Sequence, residues 1–175
     1  MRSISSTVLL LLSVTQFGAD LAAQQPSRET LLSAAREIMT SVDYAALVTL
    51  DDTGHPRIRT MEPFPPDEHM MIWLGTNRRT RKVEQITNDA RVTLYYPAPN
   101  GSGYVSIYGT AQLVDDPAEK ARHWNPSWDR FYPNRDETYL LIRVTPMRLE
   151  IVSYGHDLVG DPNTWTPFYV DFPDP

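Results

Sequence analysis

Cysteine is absent from the 175 residues of the chain, and so is any apolar stretch long enough to cross a bilayer. Without cysteine there are no disulfides, thiolate metal sites or cysteine nucleophiles. The apolar run at residues 8–12 is far too short for a transmembrane helix. Positive charge is also scarce, since 16 Lys and Arg face 22 Asp and Glu. This acidic balance disfavours a nucleic-acid partner, because neutralising phosphates requires clustered cations.

The first residues have the order of a secretory signal peptide. Arg2 supplies a positive charge, residues 8–12 supply the apolar stretch, and Ala22 and Ala23 supply small residues for cleavage. We therefore expect a signal peptide over residues 1–23, and a secreted or periplasmic protein that begins at Gln24. No stable membrane insertion is expected after cleavage. The alternative interpretation is an amphipathic or frayed N-terminal helix.

The chain as a whole has the composition of one folded domain, because 41% of its residues are hydrophobic. Helical spacing predicts three short helices, one capped by Ser27, one over 81–87 and one over 117–124. Gly109, inside the fifth of the predicted strands, indicates a bend or a close backbone approach. Apolar segments between turn residues predict antiparallel strands at 45–50, 56–61, 69–74, 91–96, 104–114, 139–144 and 147–154.

This order of strands without alternating long helices favours a barrel or a sandwich over a doubly wound sheet. We place the domain at residues 24–155. Residues 156–175 are rich in Pro, Asp and aromatic residues, and we expect them to form a C-terminal tail that wraps the surface.

Four cations stand in five positions immediately before and within the first turn of the middle helix: Arg78, Arg79, Arg81 and Lys82. The helix dipole disfavours cations at this end, and the four also repel one another. Such a cluster is favourable where an anion binds, because helix amides, a threonine hydroxyl and cationic side chains then converge on phosphate oxygens. A solvated basic turn is an equally weighted alternative.

Three motifs carry a resemblance to a known family. Thr76 and Asn77 precede the sequence Thr80-Arg81-Lys82, the strand of the preceding hairpin ends in Arg59-Thr60-Met61, and a later strand runs from residue 105 to 111. In this order they resemble the pyridoxamine 5'-phosphate oxidase-like proteins, over residues 30 to 155. The resemblance implies a mainly β, antiparallel Greek-key split β-barrel with a few short α-helices. It also implies FMN bound between the two subunits of a homodimer.

The resemblance also assigns residues to the cofactor. Thr76, Arg81 and Lys82 are expected at the phosphate, with Thr80 as the helix cap. The strand that contains Arg59 is expected to run along the flavin ring, and Tyr104 replaces a flavin-contacting Gln. The complete expected set is Arg59, Thr60, Met61, Gly75, Thr76, Thr80, Arg81, Lys82, Tyr104 and Trp124.

Two tryptophans, Trp124 and Trp128, lie in a loop-rich stretch and are candidates for stacking on a planar ring. Core or interface packing is the alternative role for both. This stretch and the ending at residues 139–150 resemble the general-stress-protein branch of the family. The function implied is that of an FMN-dependent oxidoreductase acting on a small molecule.

Several residues depart from the true pyridoxamine 5'-phosphate oxidases. Phe64 or a neighbouring Pro stands where a substrate-binding Lys is expected, and the helix at 117–124 lacks the Tyr, Arg and Ser that hold the substrate phosphate. Oxidation of pyridoxamine 5'-phosphate itself is therefore disfavoured. FAD and haem stay open as other cofactors, and a non-catalytic flavin or haem carrier of the cell envelope is the alternative function.

Nothing in the sequence identifies a catalytic residue. Tyr104, Tyr108 and His123 are candidate proton donors. The four histidines are scattered without ligand spacing, so no metal site is expected. His156 keeps haem ligation open.

Overall fold

The computed structural model describes residues 25–173, so the predicted signal peptide and its cleavage site lie outside the described residues. Within this range the chain forms seven β-strands and four α-helices, with three short 3₁₀ turns. The strands are β1 (Ala45–Leu50), β2 (Pro56–Met61), β3 (Ile72–Asn77), β4 (Arg91–Pro97), β5 (Gly103–Val114), β6 (Tyr139–Ser153) and β7 (Phe168–Asp171). The helices are α1 (Arg28–Thr40), α2 (Arg81–Asn88), α3 (Pro117–Arg122) and α4 (Arg135–Thr138).

All seven strands belong to one antiparallel sheet with the order β2-β1-β4-β5-β6-β3. The first half of β6 pairs with β3 and its second half pairs with β7, while β5 runs along its other side. The sheet curls into the expected split barrel. Inward side chains alternate with outward ones along β1 and β4, and this period places one row of each strand in the core.

The barrel core is aliphatic and closed by α1. Leu47, Leu94, Ile107 and Leu149 are fully buried, and the buried face of α1 belongs to the same cluster. Burying each such side chain contributes about 1.5–3 kcal/mol to folding. The predicted cap of α1 is confirmed, because the Ser27 hydroxyl accepts a hydrogen bond from the Thr30 amide.

The two strands expected at 139–144 and 147–154 are one continuous strand, β6, so that prediction is wrong. Pro146 lies in the gap between the two predicted strands, but in the structure it pairs with Gly109 where the register of β5 and β6 shifts. A bulge tolerates proline because the local ladder is already interrupted. The expected close approach at Gly109 is confirmed, since a Cβ there would collide with the carbonyl of Thr145.

The strand expected at 69–74 begins and ends three residues later than predicted, as β3. Residues 67–71 form a turn instead, in which the Asp67 carboxylate accepts hydrogen bonds from the amides of His69 and Met71. Met70 adopts a positive φ of 64° and is fully buried. The shift places Gly75 and Thr76 on the strand rather than in the turn that follows it.

Two smaller differences concern the end of α3 and the C-terminal tail. The helix expected over 117–124 ends at Arg122, and residues 123–134 continue as an irregular segment with one 3₁₀ turn. The tail at 156–175 includes β7, which pairs with β6 and buries Val170. Over residues 25–173, none of the helices combines the length and the hydropathy that crossing a bilayer would require.

Candidate functional site

A cavity of about 300 Å³ opens between the end of β2, the end of β3, the start of α2 and the irregular segment after α3. One end of it is polar and cationic, and the other is aromatic. Its lining residues are Thr60, Met61, Glu62, Gly75, Thr76, Asn77, Thr80, Lys82, Trp128, Phe131 and Tyr132.

Lys82 provides the positive charge of the polar end. Its half-buried ammonium donates to the hydroxyls of Thr76 and Thr80, both at 3.2 Å. None of the ion pairs found among residues 25–173 includes Lys82. Burial lowers the pKa of its ammonium, and the charge of nearby Arg59 lowers it further. A desolvated cation without a carboxylate partner is stabilised by a bound anion.

Thr80 stands at the N-cap of α2, as expected, but its side chain does not cap the helix. Its hydroxyl donates to the carbonyl of Asn77 at 2.8 Å and lies 3.3 Å from the hydroxyl of Thr76. The first amides of α2 therefore donate no hydrogen bond to this side chain. Free amides and the positive end of the helix dipole make this position suited to a phosphate.

Arg59 lies beside the cavity but not in its lining, because its guanidinium is already used inside the protein. It donates to the hydroxyl of Thr49 at 2.7 Å, to the carbonyl of Leu47 at 3.2 Å and to Gln85 Oε1 at 2.9 Å. Burial lowers the pKa of Arg59, and Arg81 lowers it further. Arg59 therefore joins β2 to β1 and α2, and adds positive potential near Lys82.

Arg81 is exposed and lines a different depression from Lys82. This groove of about 220 Å³ is polar, and Asp51, Arg57 and Glu84 are among the residues that line it. The two adjacent cations of the predicted phosphate motif thus lie on different sides of the first turn of α2. Only Lys82 reaches the cavity.

The aromatic end is formed by Trp128, Phe131 and Tyr132. Trp128 packs against β3 at Gly75, where an added Cβ would lie 2.5 Å from the Trp128 ring and 2.8 Å from the Tyr139 ring. Any larger residue at position 75 would therefore displace the aromatic wall. Phe131 is 58% exposed and forms the rim.

Trp124 lies behind this wall rather than in the cavity lining. Its ring meets the rings of Trp128 and Tyr132 edge-on, with centroid distances of 6.1 and 5.8 Å. The guanidinium carbon of Arg135 lies 4.1 Å from the centroid of the Trp124 ring. Of the two roles expected for Trp124, the structure thus shows packing within the protein. Trp128 faces the cavity.

The candidate proton donors lie away from the cavity. Tyr104 stacks on Tyr95 at 5.4 Å on the outer face of the sheet, and the Tyr108 hydroxyl donates to Glu150 at 3.1 Å. Burial raises the pKa of both tyrosines, and the charge of Glu150 raises it further. His123 stacks on Trp73 at 4.4 Å. In the described part of the chain, no three His, Asp or Glu residues form a metal-binding group.

Six of the ten predicted cofactor residues meet in one cavity, and Arg59, Arg81, Tyr104 and Trp124 do not line it. Sequence reasoning missed Glu62, which follows β2 directly, and gave no role to Asn77 beyond its place in the motif. No charge pattern or spacing around Glu62 distinguishes it from an ordinary surface carboxylate.

The sequence of residues 32–151 matches the model of the family described as pyridoxamine 5'-phosphate oxidase like. The match spans most of the chain, including every cavity-lining residue. The chain therefore belongs to this family. None of the curated proteins compared with it matches its sequence.

Solved structures share the fold. A Clostridium acetobutylicum protein related to general stress protein 26 superposes with a TM-score of 0.67 at 21% identity, covering 83% of this chain and 96% of its own. General Stress Protein 26 from Bacillus anthracis superposes with a TM-score of 0.60 at 22% identity, covering 78% of this chain and 98% of its own. A haem-binding protein from Mycobacterium smegmatis gives 0.59 at 18% identity, covering 75% of this chain and 56% of its own.

Proposed function

We propose that this protein binds FMN in the cavity and acts as an FMN-dependent oxidoreductase on a small molecule. The observation that carries the proposal is Lys82, a half-buried cation whose protein partners are two threonine hydroxyls. A phosphate at this end would gain the ammonium, the hydroxyls of Thr76 and Thr80, and the first amides of α2.

The aromatic end suits a planar ring. Met61 and Trp128 offer apolar surface to a ring, and Phe131 stands at the rim. Tyr132 also lines this end, and burial raises the pKa of its hydroxyl, so it stays neutral at physiological pH. When bound, the flavin supplies the two-electron chemistry, while these residues orient it and exclude water.

The active unit we propose is a homodimer. The outer face of the sheet carries exposed apolar side chains at Ile58 (71% exposed), Tyr95 and Tyr108 (39% each). Ala46 lies opposite both Thr60 and Tyr95, so the face runs without a break to Thr60 in the cavity lining. A second copy on this face would cover apolar surface and close the cavity.

Light scattering tests the dimer with a matched pair of variants. Ile58→Asp adds a charge to the outer face and should convert the dimer to a monomer. Val159→Asp alters a side chain that is 47% exposed on the tail, and should leave the mass unchanged. A monomeric wild-type protein at micromolar concentration with flavin bound would contradict the proposal.

We also propose that the protein is exported, on the strength of residues 1–23. N-terminal sequencing of protein extracted from the envelope should begin near Gln24. Recovery of Met1 from that fraction would contradict export without bearing on the cavity.

The absorption spectrum of the purified protein tests the cofactor and its role. A flavin spectrum that bleaches with a reductant and returns in air supports redox activity. A flavin that stays bound without turnover supports the alternative function, a non-catalytic flavin carrier. A protein that binds neither FMN nor riboflavin in fluorescence titrations would rule out the proposal.

Haem is the second candidate, favoured by one observation, the haem-binding protein of similar fold from Mycobacterium smegmatis. The cavity lining contains no histidine among the residues described, and His156 bonds instead to Ser153 and Glu37. Flavin therefore suits the site better. A Soret band in the purified protein would reverse that preference.

A further inference from the structure

Glu62 connects the end of β2 to the irregular segment after α3. Its two carboxylate oxygens accept from different residues of that segment. Oε2 accepts from the indole N–H of Trp128 at 2.8 Å, and Oε1 accepts from the side-chain Nδ2 of Asn125 at 3.1 Å. Both contacts bridge more than 60 residues of chain. A carboxylate acceptor makes stronger hydrogen bonds than a neutral one.

The opposite edge of the Trp128 ring is held by packing. It rests against β3 at Gly75, and its centroid lies 6.2 Å from that of Tyr139. The backbone of Trp128 also accepts from the Tyr132 amide at 3.2 Å, so the next aromatic residue of the wall follows its position. Trp128 is consequently held from two sides, by hydrogen bonding at the N–H edge and by van der Waals contact at the benzo edge.

We infer that Glu62 is a positioning residue that sets the place of Trp128, and through it the affinity of the cavity for the ring of its ligand. The ring-affinity part of this inference rests on the proposed flavin function. Glu62 bonds to Trp128 and Asn125 of the aromatic wall. It shares no hydrogen-bond partner with Lys82, which donates to Thr76 and Thr80. Removing the Glu62 carboxylate should therefore affect ring binding and leave phosphate recognition unchanged.

Two substitutions separate the acceptor from the charge. Glu62→Leu removes both acceptors and should weaken riboflavin and FMN equally, by about tenfold, because Trp128 is no longer held in place beside the ligand ring. Glu62→Gln keeps one acceptor oxygen for Trp128 and should restore most of that affinity. Glu68→Gln is the matched control, since this carboxylate is 85% exposed and lies outside the cavity.

A double-mutant cycle shows whether Glu62 acts through the indole. Trp128→Phe removes the N–H donor and keeps an aromatic ring. If Glu62 works by holding Trp128, then Glu62→Leu should cost much less riboflavin affinity in the Trp128→Phe background than in the wild type. Equal losses in both backgrounds would overturn the inference.

Near-ultraviolet circular dichroism of the ligand-free protein gives a readout that does not depend on flavin. Glu62→Leu should change the indole signal while thermal unfolding stays cooperative, and Glu62→Gln should retain the wild-type signal. An unchanged spectrum in Glu62→Leu would overturn the positioning role. If the wild type binds no flavin at all, the proposed function fails, and this spectrum and a cycle of unfolding free energies still decide whether Glu62 positions Trp128.

Discussion

At one end of the cavity Lys82 meets two threonine hydroxyls, and at the other Trp128 lies between Glu62 and Gly75. The cationic end comes from residues close together in the chain and exposes a charge to a ligand. The aromatic end is assembled from three distant segments and offers shape. Because charge and shape recognise different parts of a nucleotide-like ligand, the two ends should be separable by mutation.

The largest effect is expected at Gly75, where the aromatic end depends on the absence of a side chain. Gly75→Ala should lower the free energy of unfolding by about 1–3 kcal/mol, because its Cβ enters the space of Trp128 and Tyr139. Riboflavin and FMN should both bind more weakly. Chemical denaturation measures the first effect and fluorescence titration the second.

Gly155→Ala is the control for that substitution, since a Cβ at Gly155 meets nothing within 4 Å. It should leave both quantities within error of wild type. Wild-type stability and flavin affinity in Gly75→Ala would show that the aromatic wall is not seated against β3.

The next largest effect is expected from a substitution at the cationic end alone. Lys82→Met should weaken FMN by about tenfold, since one charged hydrogen bond is lost, and should leave riboflavin nearly unchanged. Ligand-free stability should stay level or rise, because a half-buried cation without a carboxylate partner is removed. Paired titrations with FMN and riboflavin measure the difference.

Arg79→Met serves as the matched control for Lys82→Met, because Arg79 is an exposed cation of the same turn and lies outside the cavity lining. It should preserve the preference for FMN over riboflavin. If Lys82→Met weakened both flavins equally, Lys82 would be supporting the ring pocket or the fold instead of binding phosphate.

Alkaline pH should weaken FMN binding at the cationic end in the wild-type protein, as Lys82→Met does by mutation. The pKa of Lys82 is lowered from its ordinary value of 10.5. FMN binding needs the charged ammonium, so the FMN-to-riboflavin affinity ratio should fall as pH rises through the lowered pKa. The ratio cancels titration of the flavin ring itself.

Stability should respond to the same pH rise with the opposite sign. The folded, ligand-free protein releases the Lys82 proton at lower pH than the unfolded chain does, so its stability should increase between the two pKa values. The Lys82→Met variant should lose both pH responses. A flat affinity ratio in the wild-type protein would remove Lys82 from the phosphate site.

The smallest effect is expected at Arg81, which the sequence motif assigns to the phosphate but which lines the neighbouring groove. Arg81→Ala should weaken FMN only about threefold, through longer-range charge, and the loss should shrink with added salt. Salt-dependent titration measures it. A loss as large as that of Lys82→Met, independent of salt, would mean that Arg81 turns into the cavity when FMN binds.

Much of the barrel could be predicted from short-range patterns. The bounds of β1 and β2 were predicted correctly, and the start of α2 was too, because alternation and turn residues act over a few neighbours. The errors arose where a distant strand changed the meaning of a residue. Pro146 does not break β6, because Gly109 on β5 allows a bulge beside it.

The sequence by itself determined the family and the cationic end of the cavity, because Thr76, Thr80 and Lys82 lie within seven consecutive residues and one turn brings them together. Only the tertiary structure decided the rest. The guanidinium of Arg59 is hydrogen-bonded to Thr49 and Gln85. Glu62 is hydrogen-bonded to Trp128, which lies 66 positions away in the chain. Contacts of that kind depend on how strands pair and segments pack, and local spacing carries no information about them.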